Sequence, residues 1–85
     1  MDGNASVLMI DFLKTKVLRN PSLDIHEDTP LVSSGLLDSF ALIEVLLQLE
    51  KLTKCRIPAA RVSPRDLDSV RQMFVTAERI VQAPR

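Results

Sequence analysis

Three serines lie close together in "SSGLLDSFALIEVLLQLEKL", residues 33–52, and their surroundings differ. Ser33 and Ser34 fall in a polar stretch ahead of Gly35, whereas Ser39 stands between Asp38 and Phe40, where a long apolar run begins. A serine at a helix start lies beside unpaired backbone N–H groups and the positive end of the helix dipole, which favours an attached anion. Serine is also a common helix-starting residue, and local physics alone favours that simpler role. The other reactive side chains have less around them. His26, the one histidine, shares its stretch with Asp24, Glu27 and Asp28. A pairing of His26 with Ser39 has no oxyanion-hole or third-member pattern to support it, so His26 reads as a solvated loop residue. Cys55 stands next to Arg56, a setting that can activate a thiol, but a lone thiol at a helix end reads first as a small packed group. Two glycines are too few for a phosphate-binding loop, and no zinc-ligand spacing occurs. No catalytic set and no metal site are expected, so the chain does not read as an enzyme.

The elements that must position Ser39 follow from periodicity. Residues 6–19 read as a first helix, with Ser6 as N-cap and Ile10, Leu13 and Val17 at helical spacing. Asn20-Pro21 ends it, because proline disfavours helix at the residue before it. Residues 20–37 form a long connection whose Leu23, Ile25, Leu31 and Val32 let it lie across a core, with Gly35 supplying a positive φ. A second helix is predicted over 39–54, with the Asp38 carboxylate as N-cap. Its apolar residues wrap most of the circumference, which fits a central helix or one that exposes apolar groups to a partner. Ser63-Pro64 predicts a one-turn helix at 64–67. A last helix is predicted over 69–82, capped by Asp68, with Val70, Met73, Phe74, Ala77, Ile80 and Val81 on one face. The fold class is all-α: a four-helix bundle of three main helices and one short helix, with a long loop between helices one and two.

Composition narrows the function further. At 85 residues the chain reads as a single domain, 1–85, and 46% hydrophobic residues exclude compositional disorder. Eleven basic and eleven acidic residues are spread along the chain, so the electrostatic footprint of nucleic-acid binding is missing. No apolar run approaches a membrane span, and the N-terminal stretch lacks the basic region of a secretory signal. The single cysteine fits a reducing compartment, and a cytoplasmic monomer is expected.

The segment "GLLDSFALIEVLLQLEKLTKCRIP" resembles the core of the acyl carrier protein family, particularly the stand-alone and D-alanyl carrier types. Gly35, Asp38, Ser39 and Phe40 match the family's Gly-x-x-Asp-Ser-[Leu/Met/Phe] signature, and Glu44 and Ile57-Pro58 follow at family spacing. "SPRDLDSVRQM" is similar to the family's approach to its last helix, and the likeness covers roughly residues 8–81. The distance from Ser39 to Ile57-Pro58, which no capping argument requires, reverses the local preference for a merely structural serine.

The resemblance implies a function. Ser39 would receive 4′-phosphopantetheine from a phosphopantetheinyl transferase, with Asp38 helping that enzyme arrange its Mg²⁺. The arm's thiol would hold an acyl or aminoacyl group as a thioester for delivery to partner enzymes. Phe40 and Leu47 would be apolar partner contacts and Glu44 a charged one. The implied partners are the transferase, a loading ligase and downstream acyl-using enzymes of fatty acid or secondary-metabolite biosynthesis. An amino acid, a fatty acyl chain and a polyketide or peptide intermediate are all admissible cargo. Many carriers are strongly acidic along helix two. Here Ala41, Gln48, Lys51 and Lys54 interrupt Asp38, Glu44 and Glu50, so electrostatic steering toward basic partners is weak. The competing reading is a small helical adaptor that binds through the apolar surface of helix two, with Ser39 only a helix cap.

Overall fold

The structure, a computed structural model, describes residues 3–82. Helix α1 (Gly3–Phe12) runs into a wider π turn (Leu13–Val17). Helix α2 spans Ser39–Thr53, two 3-10 turns follow (Ala59–Arg61 and Pro64–Leu67), and helix α3 spans Val70–Gln82. No strand occurs among the described residues. This is the all-α arrangement expected, with the short fourth element formed as a 3-10 turn. Pro64 opens that turn after Ser63, whose backbone N–H donates to the Asp66 carboxylate at 2.9 Å.

The first helix differs from its predicted bounds at both ends. Ser6 is not its N-cap but lies inside α1, because Ala5 is buried and packing draws the helix past the serine. Ala5, Met9 and Leu13 recur every four residues and form the buried stripe of α1. The helix closes at Val17 through a widened turn in which the Leu18 N–H donates to the Leu13 carbonyl at 2.8 Å. Arg19, in the left-handed region at φ 52°, then turns the chain away.

The connection from α1 to α2 lies across the core as expected. Ile25, Leu31 and Leu37 are buried, Leu23 and Val32 pack against them, and Gly35 takes φ 86°. From the helices, the core receives Val45 and Leu49 of α2 and Val70, Met73, Phe74, Ala77 and Ile80 of α3.

Another expectation fails at the start of α3. Its cap is not Asp68 but Ser69, whose hydroxyl oxygen accepts from the Gln72 N–H at 3.1 Å. Asp68 is turned toward the long loop instead, where the backbone N–H groups of residues 31–33 converge on its carboxylate.

Candidate functional site

Helix α2 starts where the local pattern predicts. Asp38 is extended at φ −101°, ψ −176°, and its carboxylate accepts from the Ala41 N–H at 2.8 Å. Its carbonyl takes the Leu42 N–H at 3.0 Å, the first bond of the helix ladder. Ser39 is therefore the first helical residue and not the cap. That removes the duty the adaptor reading gave its hydroxyl.

The other loop and cap serines are engaged. Ser22 donates to the Asn20 side chain, Ser33 to Asp68, Ser34 to the Pro30 carbonyl and Ser63 to Asp66, while Ser69 caps α3. Ser39 is exposed, and its hydroxyl makes no hydrogen bond among the described residues. Nor are the backbone N–H groups of Ser39 and Phe40 bonded among those residues, as the geometry of a first turn dictates. An uncommitted hydroxyl thus sits at the positive end of a 15-residue helix, next to free donors and open to a partner.

The face beyond it is apolar and uncovered. Phe40 is 81% exposed, Ile43 60% and Leu47 56%. These values exclude ordinary core packing for Phe40 and Leu47. Glu44 is exposed on the same face, Lys51 continues it four residues after Leu47, and Lys54 is exposed at the helix end. The face therefore passes from an acidic to a basic end. Beside it, Leu42, Ile43 and Leu46 form with Ala59, Val62, Pro64 and Leu67 an open apolar cleft of about 170 Å³. Ile43 and Leu46 line this cleft, whereas Leu49 is buried in the core with Phe74.

His26 is not brought to Ser39. Its Nε2 lies 2.9 Å from Asp24 Oδ1 and its backbone N–H donates to Thr29 Oγ1, an arrangement local to the loop. Cys55 is half-buried and donates to Thr53 Oγ1 at 2.9 Å, as a packed thiol would. No group of three or more His, Cys, Asp or Glu residues among the described ones is placed to hold a metal ion.

Three contributors to the site's framework were not apparent from sequence. Glu50 accepts from the Ile57 N–H at 2.7 Å, tying Ile57-Pro58 back to α2. Lys54 takes φ 55° to end α2 without a glycine. Asp68 grips the loop that leads to Ser39, and the backbone N–H groups donated to it, Ser33 first, hold its carboxyl below the usual carboxylate range. For Glu50 and Asp68 the only sequence signal was an acidic residue in a half-apolar setting, because the partners are distant along the chain.

A family model described as a phosphopantetheine attachment site matches residues 14–73, from the π turn of the first helix to the start of α3. No curated protein matches the chain, and no solved structure does.

Proposed function

The chain belongs to the phosphopantetheine attachment site family, and on that premise we propose that Ser39 carries the 4′-phosphopantetheine arm and that the protein holds and delivers acyl or aminoacyl groups. Domains of this family are attachment sites for covalent 4′-phosphopantetheine and are in general cargo carriers, not catalysts. The observation that carries the assignment to Ser39 is the division of labour at the start of α2. Asp38 caps the helix, and the neighbouring hydroxyl is exposed and unbonded.

The residues fit the group. A phosphodiester is an anion, and the unbonded first-turn N–H groups with the helix dipole favour negative charge beside Ser39. When bound, the arm supplies a terminal thiol that holds a carboxylic acid as a thioester. The chain's own residues supply place and access. Asp38 holds the first turn and offers a carboxylate beside the hydroxyl, where a transferase brings its Mg²⁺. Phe40 and Leu47 present apolar contacts to partner enzymes and Glu44 a charged one. Tethering the cargo to a docked protein raises its effective concentration at each partner's active site.

Intact-mass measurement after co-expression with a promiscuous phosphopantetheinyl transferase tests the reading. A single adduct of the arm's mass is expected on the wild type and none on Ser39→Ala. An unmodified wild type, under conditions that load a control carrier, leaves the adaptor reading in its place, since the exposed apolar face of α2 would serve that role as well.

A further inference from the structure

Asp68 lies 29 residues after Ser39 in the sequence, yet the hydrogen bonds place it at the root of the segment that ends there. One carboxylate oxygen, Oδ1, accepts from three consecutive backbone N–H groups: Leu31 at 3.1 Å, Val32 at 2.7 Å and Ser33 at 2.9 Å. The Ser33 hydroxyl adds a fourth donor at 3.3 Å, and the Asp68 carbonyl also takes the Leu31 N–H at 2.7 Å. Successive N–H groups converging on one anion form a rigid nest. The gripped residues are themselves knitted forward. The Gly35 N–H donates to the Val32 carbonyl at 3.0 Å, and the Leu37 N–H to the Leu31 carbonyl at 3.0 Å. Leu31 and Leu37 are both buried, which fixes this short bridge against the core. The next residue is Asp38, the cap of α2, and the one after it is Ser39.

We propose that Asp68 is a positioning residue for attachment of the arm: by holding residues 31–33 it sets, through the Leu31–Leu37 bridge, where α2 begins and so where the Ser39 hydroxyl stands. The proposal rests on Ser39 as the attachment site. A second fastening lies nearby, where Arg71 donates to Asp28 at 2.6 Å and to Glu27 at 3.1 Å. That contact is more exposed, holds residues outside the bridge, and serves as the control.

The test is steady-state transfer of the arm from coenzyme A by a promiscuous phosphopantetheinyl transferase, with the full-length chain as the varied substrate. Asp68→Ala is expected to lower kcat by about tenfold to a hundredfold, since a nucleophile displaced by about 1 Å loses rate on that order. KM is expected to stay within about twofold, because the docking face of α2 is untouched. A purely structural role gives the opposite split. Fewer folded molecules raise the apparent KM by the inverse of the folded fraction and leave kcat unchanged. Asp68→Asn keeps an acceptor oxygen without the charge and is expected to recover part of the lost kcat. Arg71→Ala should match the wild type in kcat. Amide exchange read by NMR should quicken at residues 31–33 and 37 in the Asp68 variants. Wild-type kcat in Asp68→Ala, or in an Asp68→Asn chain whose 31–33 amides exchange faster, overturns the proposal. A wild type that accepts no arm overturns the Ser39 assignment and the positioning role with it.

Discussion

Helices α2 and α3 are both rich in apolar residues, and they place them differently. Helix α3 turns Val70, Met73, Phe74, Ala77 and Ile80 inward on one stripe, with Arg71, Gln72, Val75, Glu78, Arg79 and, against expectation, Val81 outward. In α2 only Val45 and Leu49 are fully buried, while Phe40, Ile43 and Leu47 face outward. Helix α3 is mainly a packing element, whereas α2 both packs and presents a surface. The excess apolar residues of α2, surplus to what the core can bury, are what a partner-binding helix needs.

The contrast can be broken by truncation on each helix. The largest loss of stability belongs to α3: Met73→Ala should cost about 2–5 kcal/mol, read from urea or thermal unfolding, because a fully buried side chain leaves a cavity. Removing the cap of α2 ranks next. Asp38→Ala should cost about 1 kcal/mol by the same measurement, since the Ala41 N–H loses its acceptor. Phe40→Ala and Leu47→Ala should each change stability by less than about 0.5 kcal/mol, as exposed positions do. They should still lower kcat/KM with a partner enzyme by roughly tenfold, a typical loss for a contact at the centre of an interface. If Phe40→Ala destabilises the fold as much as Met73→Ala does, the distinction between the helices fails.

The smallest expected effects come from pH and salt. The carboxyls of Asp66 and Asp68 are held below their ordinary value of 3.8, mainly by backbone N–H groups, and Asp28 mainly by the Arg71 side chain. The unfolded chain then binds more protons than the folded one in acid. Their contribution to stability is full above pH 3.8 and is lost as the pH falls through the lowered values. Unfolding midpoints should therefore be flat from neutrality to about pH 5 on account of these groups and decline below about pH 4. Added salt should change stability little, because the Arg71 pairs with Glu27 and Asp28 are exposed and already screened.

What could be read from sequence divides along the range of the interactions. The Asp38 cap, the positive φ of Gly35 and the Ser63-Pro64 turn were all legible, because each depends on residues within a few positions. The same local reasoning failed for Ser6 and Asp68, both suitable caps by type. Burial of Ala5 extends α1 past the first, and a loop more than 30 residues away recruits the second. The exposure of Phe40 against the burial of Leu49 could not be read from periodicity, and only the family resemblance implied that Phe40 faces a partner. Both are apolar residues of a helix without a single stripe, and only the positions of the loop and α3 decide which is covered. The Ser39 candidate was legible from its spacing to Ile57-Pro58, while the Glu50 bond that helps fix that spacing was not.

The central claim is that one serine among seven carries the arm. Fragmentation mass spectrometry of the loaded, full-length protein after proteolysis tests it directly. The account predicts the phosphopantetheine mass on the peptide containing Ser39, with fragment ions assigning it to Ser39 and leaving Ser33 and Ser34 unmodified. An adduct on either of those two serines, or on any residue other than Ser39, would contradict it.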